Sequence, residues 1–371
     1  MRGQGADRLA RTVAAIEESR GRGLHLGAQL AVWRGEELIA DLALGEDRPG
    51  RALERDDLML WLSTTKPVTA VALGQLWERG LLALDDPIAR HLPEFAQGGK
   101  ESITLRHALT HTGGFRMLNV GWPEASWEEI VAKICAARRE PRWEPGRKAG
   151  YHDSPSWFVL GEVVARLSGR PFEAYVRDEI FLPLGMADCW IGMPAERYRA
   201  YGERVAAAWD TAGPEAKRFG WDSEVACVNP SPAGGGRGPM HQLVTFYRML
   251  LGGGQLDGVR LLTPQTVEAL VARHRVGMLD HTFRHVMDWG LGFIPDSKQY
   301  GVGVPYAYGR HCSPRTFGHS GYRSSTAFGD AEHGLAVALA FNGLPGDAAH
   351  APRMRGTLEA IYEDLGLAGE S

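Results

Sequence analysis

Apolar residues recur with two different periods in the first third of the chain, and each period predicts a different element. Between residues 9 and 16 they lie three or four positions apart among charged residues, which predicts an amphipathic helix. Residues 27–33 and 37–44 alternate or run apolar around a polar turn that contains Gly35, which indicates a β-hairpin. A second helix is predicted after Lys66, with one apolar face formed by Val68, Ala72, Leu73 and Leu76.

From about residue 81 to about residue 239 the pattern changes to helical segments separated by loops rich in proline and glycine. Helices are predicted near 104–110, 126–138, 155–168, 171–180, 241–251, 264–273 and 352–365, and strands at 288–294, 322–329 and 334–341. Strands at both ends of the chain predict an α/β lobe of about residues 1–80 and 240–371, with a mainly helical lobe of about residues 81–239 inserted.

The composition is that of a folded globular protein, and the net charge excludes two classes of binding partner. The formal net charge of −4 is small for 371 residues and the basic residues are scattered, so no nucleic-acid partner and no polybasic membrane patch are predicted. The four cysteines lie far apart without C-x-x-C spacing, so we expect reduced, mostly buried thiols. The N-terminus lacks the apolar core of a secretory signal, and no apolar run is long enough for a membrane span, so a cytoplasmic protein is expected.

The strongest chemical signal is the segment Ser63-Thr64-Thr65-Lys66, which stands where a hairpin segment gives way to a helix. Residues three apart on a helix share a face, so the Lys66 ammonium can approach the Ser63 hydroxyl. A serine hydroxyl is a weak nucleophile until a neighbouring base takes its proton. The free N–H groups at a helix start also favour negative charge on an attacked carbonyl oxygen. The alternative is an ordinary helix start followed by an incidental lysine.

Two further motifs follow in order along the chain. Gly150-Tyr151-His152-Asp153 stands before a predicted helix, and Phe317-Gly318-His319-Ser320-Gly321 stands before a predicted strand. The order S-x-x-K, Y-x-N, then K-T-G or H-x-G resembles the active-site set of the serine β-lactamase and penicillin-binding-protein family, over about residues 10–365. The branch it resembles contains class C β-lactamases, carboxylesterases and D-amino-acid peptidases. The resemblance implies an α/β (α+β) β-lactamase-like fold, in which helices flank an antiparallel sheet.

The resemblance also implies roles for individual residues. Ser63 is expected to be the nucleophile and Lys66 its positive neighbour. Tyr151 is expected to act as the base if the charge of Lys66 stabilises its phenolate or if the proton is shared within the group. The backbone N–H groups of Ser63 and Tyr322 are expected to form the oxyanion hole, with Gly321 directly before the strand that begins at Tyr322.

Two residues depart from the family's pattern. Asp153 stands where the family usually has Asn, and this carboxylate either anchors Lys66 or alters which substrates are polarised. His319 stands at the first position of K-T-G, where the family has a lysine. A partly charged imidazole at this position favours neutral esters or amides over carboxylate-bearing penicillins. His319→Lys is therefore predicted to move selectivity toward β-lactams, and a purely structural histidine is the alternative.

Other candidates are weaker. His107 and His111 are four apart, but no third ligand completes a metal site, and no metal is expected. The glycine-rich run 234–238 lacks the pattern of a phosphate loop and is predicted to be a turn near the cleft. Four tryptophans of the inserted lobe are candidates for binding an acyl or alcohol group, although core packing explains each equally well: Trp122, Trp127, Trp143 and Trp157.

The leading interpretation is a serine hydrolase that acylates Ser63 and hydrolyses carboxylic esters, with a small-molecule ester or amide as substrate and no cofactor. An acyltransferase, a D-amino-acid peptidase or amidase, and a weak β-lactamase would use the same chemistry. A non-catalytic ligand-binding or sensor domain is the alternative from another class. An α/β-hydrolase is disfavoured because the chain has no G-x-S-x-G segment.

Overall fold

The computed structural model describes residues 2–368, and within them strands from both ends of the chain form one sheet. The strands of these residues are β1 (Arg2–Gln4), β2 (Gly27–Arg34), β3 (Glu37–Arg48), β4 (Arg51–Ala52), β5 (Met59–Leu60), β6 (Trp190–Ile191), β7 (Trp209–Asp210), β8 (Lys217–Arg218), β9 (Gly236–Gly238), β10 (Gln255–Leu256), β11 (Val259–Arg260), β12 (Arg275–Asp280), β13 (His285–Trp289), β14 (Ile294–Pro295), β15 (Thr316–Ser320), β16 (Ser325–Asp330), β17 (Leu335–Phe341) and β18 (Gly343–Leu344).

In the described part of the chain the main sheet has eight strands in the order β1-β3-β2-β17-β16-β15-β14, with β4 paired to β3. All neighbours in it are antiparallel. The two ends of the chain meet where β17 pairs with β2, in a register that sets Leu339 opposite Leu30. The predicted hairpin of β2 and β3 is present, and the predicted antiparallel sheet flanked by helices is confirmed.

The α-helices of residues 2–368 cover both faces of the sheet and build the middle of the chain. They are α1 (Ala10–Gly21), α2 (Lys66–Glu78), α3 (Leu105–Leu109), α4 (Trp127–Ala136), α5 (Pro155–Ser168), α6 (Phe172–Val176), α7 (Ala195–Tyr201), α8 (Glu224–Val228), α9 (Met240–Leu251), α10 (Pro264–Val271) and α11 (Asp347–Asp364).

Alternation along β2 explains how the sheet is covered on both faces. Leu30 and Val32 point into the core that α1 and α11 cover, whereas Ala31, between them, joins the core on the opposite face. Helix α9 packs on that opposite face against β2, β16 and β17. Successive side chains of a strand point to opposite faces, so alternate residues of β2 enter two different cores. Because both faces are buried, the sequence of the strand is a continuous apolar run.

Helix α2 differs from the one-sided helix that its pattern predicted. Every residue from Lys66 to Leu76 is buried, because α2 lies among α5, α6 and α10 as well as beside the sheet. A helix that is apolar all round is a central helix rather than a surface one. The first residue of this central helix is a lysine.

Three predicted elements differ from the structure. The strand predicted at 288–294 is interrupted, because β13 ends at Trp289 and β14 begins only at Ile294. The strand predicted at 322–329 begins at Ser325, because residues 321–324 form a turn in which Arg323 has a left-handed φ of 49°. The C-terminal helix begins at Asp347 instead of residue 352, since Asp347 in its first turn is held by Arg323 at 2.6 Å and 2.7 Å. The division into two lobes at residues 81 and 239 stays a prediction. In the described residues, no helix combines the length and the apolar character that crossing a membrane requires.

Candidate active site

The nucleophile turn, residues Leu62–Thr65, is a single 3-10 turn that runs directly into α2. Leu62 enters it with a φ of 50°, in the left-handed region that non-glycine residues seldom adopt. Thr65 fixes the turn, since its Oγ1 donates to Leu62 O at 2.6 Å and accepts from Gly236 N at 2.9 Å. The turn leaves Ser63 6% exposed in the wall of a cleft.

The structure brings Ser63, Lys66 and Tyr151 together. Lys66 Nζ lies 2.9 Å from Ser63 Oγ, and the Tyr151 hydroxyl donates to the same oxygen at 2.8 Å. Lys66 Nζ also donates to Ala233 O at 2.8 Å, and it lies 5.1 Å from the centroid of the Tyr151 ring. Ser63 Oγ therefore stands between a buried amine and a buried phenol.

Burial sets the protonation of these three groups. It lowers the pKa of Lys66 to about 7, against the opposing effect of the Asp153 carboxylate, so amine and ammonium are both populated near neutral pH. Burial also raises the pKa of Tyr151 well above its ordinary value of 10. This shift disfavours a Tyr151 phenolate near neutral pH, and the close approach of both groups to Ser63 Oγ fits the other expected arrangement, in which one proton is shared within the group.

Tyr151 is held by Asp280, a residue that the sequence analysis missed. Asp280 Oδ1 accepts from the backbone N–H groups of Tyr151 at 3.1 Å, Thr282 at 2.9 Å and Phe283 at 3.0 Å. Its Oδ2 accepts from Arg275 at 3.1 Å, and both partners of this ion pair are buried. No local motif marks Asp280, because its role depends on β12 lying beside the segment that carries Tyr151.

The turn between β15 and β16 lies close to the nucleophile turn because residue 321 has no side chain. A Cβ on Gly321 would stand 2.4 Å from Trp61 O and 2.3 Å from Ser325 Oγ. The next residue, Tyr322, lines the cleft together with Ser63. Within residues 2–368 the backbone N–H groups of Ser63 and Tyr322 take part in no hydrogen bond. Two free donors at the nucleophile are what an oxyanion hole requires.

His319 does not line the cleft. Its ring is fully buried in β15 behind Tyr151 and Tyr306, whose ring centroids lie 6.2 Å and 6.1 Å away. Its Nδ1 lies 2.9 Å from Ser320 O and therefore carries the proton. Burial, and secondly the charge of Lys66, lower the pKa of His319 well below 6.5. The prediction that a partly charged His319 acts on the substrate is corrected: the imidazole is neutral and enclosed.

The cleft at Ser63 has a volume of about 650 Å³ and a largely apolar lining. Its apolar and aromatic members are Leu62, Leu118, Val120, Trp122, Tyr151, Trp221, Ala233, Phe283, Tyr306 and Tyr322. Among the described residues that line it, Asp153 alone carries a formal charge. Asp153 forms no direct ion pair with Lys66 and acts on it only through space, so the expected anchoring role is not observed.

The remaining candidates lie around this cleft or behind it. Of the four tryptophans, Trp122 lines the cleft and Trp157 packs 5.6 Å from Lys66 Nζ, whereas Trp221, also in the lining, was missed. The run 234–238 is only partly a turn, since residues 236–238 form β9 between β5 and β6. His111 supports the site from behind, where its Nδ1 accepts from the backbone N–H of His152 at 2.9 Å.

Known proteins resemble the chain over nearly its whole length. A family model described as Beta-lactamase matches residues 11–360. The Esterase/beta-lactamase LipL of Mycobacterium tuberculosis (strain ATCC 25618 / H37Rv) is 24% identical over 347 residues, which cover 86% of this chain and 77% of LipL. Esterase EstB of Burkholderia gladioli is 31% identical over 253 residues, 62% of this chain and 61% of EstB. The crystal structure of a family VIII carboxylesterase superimposes with a TM-score of 0.81 at 25% identity, covering 98% of this chain and 100% of that one.

Proposed function

The chain belongs to the β-lactamase family, and from that membership and the geometry at Ser63 we propose that it hydrolyses carboxylic esters through an acyl-enzyme. The family and the β-lactamase-like fold expected from the sequence are confirmed. The chain is accordingly a serine hydrolase, and the esterases among its relatives make a small carboxylic ester the best-supported substrate.

One observation carries the proposal: Ser63 Oγ lies within hydrogen-bond distance of two proton carriers whose pKa values burial moves in opposite directions. The lysine pKa falls to about 7, so Lys66 can take a proton at neutral pH. The tyrosine pKa rises, so Tyr151 holds its proton until a stronger base, such as a leaving alkoxide, requires it. The environments of the two groups thus assign Lys66 as the base and Tyr151 as the acid.

Acylation follows from these assignments. Ser63 Oγ bonds to the ester carbonyl carbon while its proton passes to Lys66 Nζ, and the N–H groups of Ser63 and Tyr322 stabilise the oxyanion. When the bond to the alcohol oxygen breaks, Tyr151 protonates that oxygen and recovers a proton from the Lys66 ammonium. Water then repeats the sequence: its oxygen bonds to the acyl carbon, its proton goes to Lys66, and Ser63 leaves with a proton restored.

The charge of the cleft supports esters without a carboxylate as substrates. In the described lining there is no lysine, arginine or histidine, and the single charge of Asp153 repels the carboxylate that penicillins carry. His319→Lys would place an ammonium in an enclosed position, so the selectivity change expected from the sequence is withdrawn. Amide hydrolysis and acyl transfer would use the same acyl-enzyme and are separated from ester hydrolysis only by assay.

A cytoplasmic location is the accompanying proposal. Cys135, Cys189, Cys227 and Cys312 are all buried free thiols, as proteins of reducing compartments usually have. Fractionation of the source cells would test this location, and recovery of the protein outside the cytoplasm would contradict it.

A fluorophosphonate probe with intact-mass detection, combined with p-nitrophenyl butyrate turnover, tests the acyl-enzyme. The wild-type protein should gain one adduct and release p-nitrophenolate, and Ser63→Ala should do neither while its thermal unfolding stays cooperative. Ser154→Ala removes another serine of the same cleft and should keep the adduct. Retention of even about a tenth of the activity by Ser63→Ala would contradict the nucleophile. Absence of adduct and turnover in the wild type would favour a non-catalytic sensor, and a cephalosporin turned over faster than the ester would contradict ester hydrolysis.

A further inference from the structure

The Asp153 carboxylate has no direct polar partner within the described structure. It is exposed, lines the cleft at Ser63, and takes part in no hydrogen bond or ion pair among residues 2–368. The other carboxylates near the cleft are occupied: Asp280 accepts four hydrogen bonds, and Asp347 is held by Arg323 at 2.6 Å and 2.7 Å. Asp153 is thus an unused anionic group within reach of whatever fills the cleft.

Aromatic rings surround the same space. Phe283 packs edge to face on Tyr306, with ring centroids 5.3 Å apart at 87°, and lies 4.9 Å from the Tyr151 ring. Burial, and secondly Asp153, raise the pKa of Tyr306, so its ring is that of a neutral phenol close to the carboxylate. Trp122 and Trp221 line the same cleft. Electron-rich ring faces together with a carboxylate are the combination that proteins use to bind alkylammonium groups.

Filling the cleft also has a cost that a cation offsets. A substrate without a hydrogen-bond donor that displaces water from Asp153 leaves a desolvated carboxylate without a partner, which is unfavourable. A positively charged substrate supplies that partner at the same moment. No lysine or arginine among the described lining residues competes for the carboxylate.

We propose that the ester substrate carries a protonated amine or quaternary ammonium, which Asp153 and the aromatic rings of the cleft bind while Ser63 attacks the carbonyl. This inference rests on the proposed ester hydrolysis and names its substrate class: esters of amino acids or of amino alcohols. Asp153 follows Tyr151 by two residues, so the Cα atoms of the two residues are within about 7 Å of each other. Tyr151 is the residue that protonates the leaving group. A short linker is therefore enough to separate the ammonium from the ester.

Two isosteric pairs of esters test the proposal. The first pair is choline butyrate and its uncharged analogue, in which a tert-butyl group replaces the trimethylammonium. The second is the p-nitrophenyl ester of 4-(trimethylammonio)butanoic acid and its tert-butyl analogue. Charge is the main difference within each pair, and the two pairs place it on the alcohol side or the acyl side. Acid release in a pH-stat at constant ionic strength measures all four.

The wild-type kcat/KM of the charged ester should exceed that of its isostere by about tenfold or more in at least one pair. That pair identifies the side of the ester that carries the cation. Asp153→Asn should reduce the preference to about twofold or less, while turnover of the neutral isosteres shows that the variant is folded and active. Glu128→Gln removes an equal charge from an exposed position outside the cleft and should leave the preference unchanged.

Equal kcat/KM within both pairs, or a preference that survives Asp153→Asn, would overturn the inference while leaving ester hydrolysis intact. Lack of turnover of all four esters by the wild-type protein would overturn ester hydrolysis itself, and this inference with it. A preference in the wild type that is lost in Asp153→Asn and kept in Glu128→Gln establishes it.

Discussion

The rate of acylation should depend on pH through the single ionisation of Lys66. Burial moves the pKa of Lys66 from 10.5 to about 7, a shift that corresponds to roughly 5 kcal/mol of lost stability for the buried ammonium. Only the neutral amine can accept the Ser63 proton, so kcat/KM rises with pH, is half-maximal at about pH 7 and reaches a plateau about one pH unit higher. Relative to that plateau we expect about one tenth of the activity at pH 6 and about one hundredth at pH 5.

Initial rates with p-nitrophenyl butyrate from about pH 5 to about pH 9 at constant ionic strength measure this profile. Tyr151→Phe should lower the plateau and keep the acidic limb in place, because the amine still titrates. Asp153→Asn should move the limb to lower pH, because the carboxylate that raises the pKa of Lys66 is removed. A flat profile, or a limb above about pH 9, would refute the assignment of Lys66 as the base and return that role to Tyr151.

Four substitutions test the reacting groups and the residues that position them. Lys66→Ala and Tyr151→Phe should each lower kcat by about a hundredfold or more, and the double variant should lose far less than the product of the two, since both act on one proton transfer; the full product would count against a coupled unit. Asp280→Asn should destabilise the fold by about 3 kcal/mol in urea titrations and lower kcat, because it leaves Arg275 buried without its counterion; an unchanged midpoint would remove Asp280 from this role. Gly321→Ala should lower kcat about tenfold or more, because its Cβ would meet the backbone beside the nucleophile turn at 2.4 Å; wild-type kcat would show that the turn yields freely.

The sequence predicts the contact between Ser63 and Lys66 because their spacing is local. Ser63 and Lys66 are one helical turn apart, and the 3-10 turn that leads into α2 places their side chains on the same side. Tyr151 was found through a motif, but its neighbour Asp280 was not, since their contact depends on β12 lying against a segment far away in the chain. Contacts of that kind leave no period or spacing in the sequence.

Besides long-range contacts, the burial of individual side chains could not be predicted from the sequence. His319 was assigned a substrate-facing role because a polar residue in an ordered motif predicts function, yet the fold encloses its ring behind Tyr151 and Tyr306. Burial also raises the pKa of Tyr151, whereas the sequence shows only that Lys66 is a possible neighbour. Desolvation of either side chain depends on the packing of residues that are far apart in the chain.

The two charged groups of the site, Asp153 in the cleft and Lys66 beneath Ser63, are coupled through space. The carboxylate raises the pKa of Lys66, which works against the neutral amine that acylation needs. A bound ammonium would neutralise that carboxylate and so lower the pKa of Lys66 in the complex where the base is required. Because kcat reports the complex and kcat/KM the free enzyme, the acidic limb of kcat should lie at lower pH than that of kcat/KM for the ammonium esters. For their tert-butyl isosteres, which leave the carboxylate charged, the two limbs should coincide, and a separation there of equal size would mean that Asp153 and Lys66 are not linked by the substrate's charge.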